Sequence, residues 1–95
     1  MNAYVIVQET VHDQAMFAAY GKDVPAMIAA HGGRFLVRGG ALTVVEGEWK
    51  HPRVVVIEFP SRDAAEAWYR SPEYQKVLPL RLKSATDNFV IVDGV

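Results

Sequence analysis

The chain has 95 residues, ten basic against eleven acidic, for a formal charge of −1. That length suits one domain over residues 1–95, and the even charge balance gives no electrostatic ground for binding nucleic acid or an anionic membrane. With no cysteine there is no disulfide and no thiolate chemistry, while 51% hydrophobic residues is high for so short a chain and points to more buried surface than one protomer supplies.

The start, Met1-Asn2-Ala3-Tyr4-Val5-Ile6-Val7, lacks the positive segment and longer apolar core of a signal peptide, and no apolar run reaches transmembrane length. A soluble, cytoplasmic protein is the expectation. Tyr4 to Glu9 reads as a first strand, apolar on consecutive central positions and polar at its end, as for a central strand leaving a sheet. Asp13 or Thr10 is placed to cap the helix that follows. Its apolar residues Phe17, Tyr20, Val24 and Met27 or Ile28 recur at helical spacing up to His31. Pro25 lacks an N–H and clashes with the preceding turn, so a break is expected near Lys22 to Val24. Gly32-Gly33 ends the helix, one of the two in the left-handed conformation.

Gly33 to Arg38 reads as the second strand, with Arg34, Leu36 and Arg38 on one side and Phe35 and Val37 on the other. Ala41 to Glu46 is expected to continue it beyond a bend or bulge at Gly39-Gly40. Arg53 to Phe59 is the third strand, and its apolar run from Val54 to Ile57 implies cover on both faces. Ser61 caps the next helix, and Ser71-Pro72 starts a further helical piece that Pro79 is expected to bend or end. Asp87-Asn88 is expected to turn the chain into a last strand, Phe89 to Val92. The order is β-α-β-β-α-β, a ferredoxin-like α+β fold with a four-stranded antiparallel sheet. Helices cover only one face of such a sheet. The strands are apolar on both, so a homodimer through the open face, closing a dimeric α/β barrel, is the expected assembly. Its interface should exceed ~1,500 Å² in total.

Four stretches carry a resemblance. They are Gly32 to Gly40 (GGRFLVRGG), Glu46 to Trp49 (EGEW), Val56 to Ser61 (VIEFPS) and Ala67 to Tyr74 (AWYRSPEY). Together they resemble the domain of unknown function 1330 family, over essentially the whole chain. The resemblance implies the dimeric α/β-barrel superfamily, whose relatives include cofactor-free monooxygenases of aromatic polyketides, muconolactone isomerase and haem-handling enzymes. It transfers no catalytic residues.

The residues themselves offer candidates. Glu58, an acid ending an apolar central strand, would be desolvated and raised in pKa, as a general acid or base requires; the plainer reading is an ion pair with Arg34 or Arg38. Breaking a buried pair costs about 3–5 kcal/mol, so Glu58→Ala is expected to lower stability strongly. Arg34 and Arg38 could fork onto a substrate carboxylate or enolate, or balance Glu46 and Glu58. Tyr20, Trp68 and Tyr74 are candidate pocket walls, Trp68 more simply a core residue whose indole N–H must find a partner. His31, at the helix C-terminus, is a second proton handler or merely a last-turn cation. The three histidines show no paired spacing, so no metal site is expected, and no cofactor either, His31 being the only possible haem ligand. Two functions follow. One is a cofactor-independent enzyme, monooxygenase- or isomerase-like, on a small aromatic or enolisable molecule; the other is a non-catalytic ligand-binding or structural homodimer.

Overall fold

The computed structural model describes residues 1–95. Its elements run β1 (Ala3–Val11), α1 (Gln14–Gly21), α2 (Val24–Ala30), β2 (Arg34–Arg38), β3 (Arg53–Phe59), α3 (Arg62–Arg70), α4 (Pro72–Ser84) and β4 (Ala85–Asp93). The four strands form one antiparallel sheet in the order β2-β3-β1-β4, with the first and third strands central as expected. Alternation divides each strand between two environments. Ala3, Val5, Val7, Val55, Ile57 and Phe59 are buried under the helices, whereas Ile6, Val37, Val90 and Val92 on the opposite face stay exposed. No helix is long and apolar enough to cross a membrane.

Each crossover is a broken helix, and both breaks are written in local chemistry. Asp13 accepts a hydrogen bond from the Met16 N–H at 3.0 Å to start α1, and Pro25 sits in the first turn of α2, where its missing N–H costs nothing. Gly32, at φ 78°, closes α2 in the left-handed region that a side chain would strain. Ser61 caps α3 through the Ala64 N–H, and Ser71 serves two helices at once. Its hydroxyl donates to the Trp68 carbonyl at 2.7 Å and accepts from the Tyr74 N–H at 3.3 Å. Such caps contribute about 1 kcal/mol each. Trp68, on the buried side of α3, stacks on Phe59 and meets Tyr74 at a centroid distance of 4.4 Å, which makes the aromatic centre of the core.

Four expectations are corrected here. The helix is not interrupted at Pro79: α4 continues to Ser84. Pro79 and Gln75 are both exposed, so the carbonyl left without a donor is reached by water while Tyr74, Leu78 and Arg81 hold the buried side. Residues 41–46 form no strand; after Gly39, at φ 72°, the chain runs irregularly to Arg53. Leu42, Val44, Val45 and Trp49 of that loop are exposed. Asp87-Asn88 is no turn, because β4 begins at Ala85, directly from α4, and pairs with β1 along its whole length. The fourth correction is in β2. Arg34 lies opposite Glu58 and Phe35 opposite Ile57, but a bulge then places Val37 opposite Val56 and Arg38 opposite Val55. One extra residue reverses the alternation, so Arg34 shares the open face with Glu58 while Arg38 turns toward the helices.

Candidate active site

A row of charged residues crosses the helix side of the sheet at one end. Glu9 of β1 lies opposite Arg53 of β3 on one side and Asp87 of β4 on the other. Glu9 is 2% exposed, and its carboxylate bonds the Arg53 guanidinium. Burial raises the Glu9 pKa above the ordinary carboxylate range, and Arg53 offsets only part of that effect. Arg81, from the buried side of α4, donates to Asp87 at 2.5 Å and to the Tyr74 hydroxyl at 3.3 Å. Tyr74 in turn bonds Tyr20 of α1, hydroxyl to hydroxyl, at 2.7 Å. Burial pushes both phenols upward in pKa, so both are neutral at physiological pH, one donating to the other.

Above this row, between α1 and the sheet, lies a cavity of about 50 Å³. Glu9, Arg38, Arg53, Arg81 and Tyr20 contribute polar groups to its wall, and Phe17, Phe35, Trp68 and Phe89 contribute rings. Arg38 covers the Phe35 ring, Arg53 covers Phe17 and Arg81 covers Phe89, at 4.5, 5.1 and 5.0 Å. Each cation is thereby held over a π-face. Trp68 is 1% exposed, and its indole N–H has no hydrogen-bond partner. A buried donor left without an acceptor costs about 1–3 kcal/mol. The expected partner for this N–H is absent. A cavity of this size has room for a few waters. Phe17 and Arg53, both half-buried, stand at its α1 side.

The candidates read from sequence divide accordingly. Tyr20, Trp68 and Arg38 line the cavity, and Tyr74 stands behind Tyr20. Glu58, Arg34 and His31 are elsewhere. Glu58 lies on the open face, where it accepts from Arg34 Nε at 2.9 Å and from the Tyr4 hydroxyl at 3.3 Å. Its pKa is lowered, first by the Arg34 hydrogen bond, against a smaller opposing effect of burial; the expected rise does not occur. Arg34 is 72% exposed, so the pair is flanked by solvent and its loss should cost little, contrary to the strong effect expected of a buried pair. His31 turns its Nδ1 to the Met27 carbonyl at 3.0 Å and serves as the cap of α2, outside the cavity.

The pH dependence of stability tests the Glu58–Arg34 pair. Glu58 has a folded pKa below its unfolded value, so its contribution is present above the unfolded pKa and lost as pH falls through the folded one. Glu58→Gln should therefore flatten the acid limb of a melting-temperature profile below about pH 4. An unchanged acid limb would reject the Arg34 pair as its cause.

Glu9, Arg53, Arg81 and Asp87 were missed in sequence. Glu9 continues the alternation of Val5 and Val7, and Arg81 follows Tyr74 and Leu78 at helical spacing. Placing the end of one strand at Glu9 and a helix break at Pro79 hid both signals.

Comparison with known proteins adds to this picture. Residues 2–95 match the family described as Domain of unknown function (DUF1330). The chain belongs to the DUF1330 family. No curated protein matches this DUF1330 chain in sequence. Among solved structures, it resembles RPA0582, a protein of unknown function from Rhodopseudomonas palustris, at 18% identity and a TM-score of 0.80, covering 99% of this chain and 82% of that one. SnoaB, a cofactor-independent oxygenase from Streptomyces nogalater, is similar at 16% identity and a TM-score of 0.64, over 99% and 93% of the two chains. A dimeric ferredoxin-like protein of unknown function from Jannaschia sp. CCS1 is similar at 12% identity and a TM-score of 0.65, over 99% and 100%. At these identities the likeness establishes the ferredoxin-like fold of this DUF1330 protein.

Proposed function

We propose that this protein is a small-molecule-binding homodimer whose helix-side cavity is a cofactor-independent active site for a small aromatic or enolisable substrate. The observation that carries the reading is Glu9: a buried carboxylate, raised in pKa, on the wall of a cavity lined by aromatic rings. A carboxylate in that setting is a stronger base than one in water. It takes a proton from an acidic carbon or hydroxyl of the substrate, and the resulting enolate or phenolate is stabilised by the cavity arginines. Return of the proton to another carbon gives an isomerisation; reaction of the carbanion with dioxygen gives an oxygenation. The fold-level likeness to a cofactor-independent oxygenase agrees with this chemistry.

The homodimer is supported by the apolar open face, formed by Ile6, Val37, Val90 and Val92, and by the dimeric state of one structural neighbour. The alternative, a ligand-binding or structural homodimer without catalysis, is favoured by one feature: Glu9 and Arg81 each already hold an ion-pair partner.

The test is exchange of the acidic protons of phenylpyruvate in deuterated buffer, followed by NMR. The parent and Glu58→Gln should accelerate exchange alike, and Glu9→Gln should abolish the acceleration. Because only ionised Glu9 is a base, the rate should rise with pH through a midpoint above the ordinary carboxylate range. Equal exchange by parent and Glu9→Gln would remove Glu9 from the role. If nothing is exchanged while natively purified protein releases a bound small molecule on denaturation, the non-catalytic alternative holds.

A further inference from the structure

The charges around the cavity do not cancel. Three arginines, Arg38, Arg53 and Arg81, stand on its wall against one acid, Glu9. Arg53 is matched by Glu9, and Arg81 by Asp87 just behind the wall. Arg38 alone forms no ion pair, though the bulge in β2 turns it from the open face, where Glu58 stands, to the helix side. At the end of β2 it is exposed, its guanidinium resting over Phe35. Gly21, at the end of α1, borders the same opening; a Cβ there would lie 3.9 Å from Arg38 Nη2.

We propose that the cavity takes an anionic substrate, a planar oxo- or hydroxy-carboxylate with an aromatic or conjugated body, and that Arg38 binds its carboxylate at the mouth. The proposal rests on the cavity being the ligand site and names the class of molecule it selects. One cation on this cavity, the Arg38 guanidinium, has no carboxylate partner, whereas Arg53 and Arg81 each have one. A guanidinium matches a carboxylate with two parallel hydrogen bonds. A substrate with a carboxylate at one end and a carbonyl or hydroxyl at the other meets Arg38 at the mouth and presents its acidic proton to Glu9. The rings of Phe17, Phe35 and Phe89 suit the flat body between them. Placing the negative group at the mouth also keeps it away from the Glu9 carboxylate, which must accept a proton from the other end.

The experiment uses benzoate and its neutral isostere benzamide as probes, with ¹⁵N-labelled protein and the two tryptophan indole signals as reporters. Trp68→Phe identifies the Trp68 signal, and Trp49, in the loop on the far face, is the internal reference. Benzoate should shift the Trp68 signal in a saturable way and leave Trp49 unmoved. Benzamide should bind at least about tenfold more weakly, as should benzoate to Arg38→Gln, and Arg38→Lys should recover part of the affinity. Otherwise unchanged spectra of the variants establish that they are folded. Equal binding of benzamide and benzoate, or full benzoate affinity in Arg38→Gln, overturns the anionic assignment while leaving the cavity as a ligand site. If neither probe moves Trp68, the cavity itself is not the ligand site and both readings fall.

Discussion

Replacing Arg81 with methionine is expected to remove much of the stability of this protein. Its side chain is 4% exposed, and it satisfies Asp87, itself nearly buried, as well as the Tyr74 hydroxyl, while covering the Phe89 ring. Methionine fills similar volume but donates nothing. Asp87 is then left as a buried charge without its partner, a loss of about 3–5 kcal/mol. Domains of this kind have roughly 5–15 kcal/mol in total, so the variant approaches the unfolding threshold. The melting temperature should fall by about 4–8 °C for each kcal/mol lost. Asp87→Asn should be milder, since an amide oxygen still accepts from Arg81. The double replacement Arg81→Met with Asp87→Leu should recover much of the loss, because it removes both charges together. Urea denaturation at fixed protein concentration measures all three. An Arg81→Met midpoint equal to that of the parent would reject the buried network as a support of the fold.

Ile6→Lys is the second change with a large expected effect, and it acts on assembly. Ile6 is central on the open face, opposite Val56 on one side and Val90 on the other. In the proposed homodimer this three-residue row lies in the middle of an apolar interface, where a lysine ammonium would be desolvated against a second copy of itself. Dissociation should strengthen by at least about a hundredfold, or roughly 2.7 kcal/mol. In the separated protomer Ile6 is already 37% exposed, so the lysine extends into solvent and the fold survives. Sedimentation velocity at micromolar concentration distinguishes the outcomes. A parent that sediments as a monomer rejects the assembly. A variant that stays dimeric while the parent is dimeric places the interface on another surface.

The sequence by itself determined the elements whose signals are local. Caps at Asp13, Ser61 and Ser71, the proline at the start of α2 and the left-handed glycine after it each act within one turn of chain, so the helix boundaries they set are readable residue by residue. The two-sided apolar run of β3 likewise placed it centrally, and the β-α-β-β-α-β order with its resemblance led to the ferredoxin-like fold. What only the tertiary structure decided depends on partners distant in sequence. The bulge at Leu36 is one inserted residue, invisible in the alternation of Arg34 to Arg38 yet enough to send the two arginines to opposite faces. Pro79 breaks helices in isolation, but in α4 it lies on the wet side while Tyr74, Leu78 and Arg81 anchor the dry one. The acid of the candidate site was misplaced for the same reason. Glu58 and Glu9 both follow apolar runs in central strands, and only the side on which the helices pack makes Glu9 the buried one. Burial sets a carboxylate's pKa, and burial is a property of the packed sheet rather than of the strand.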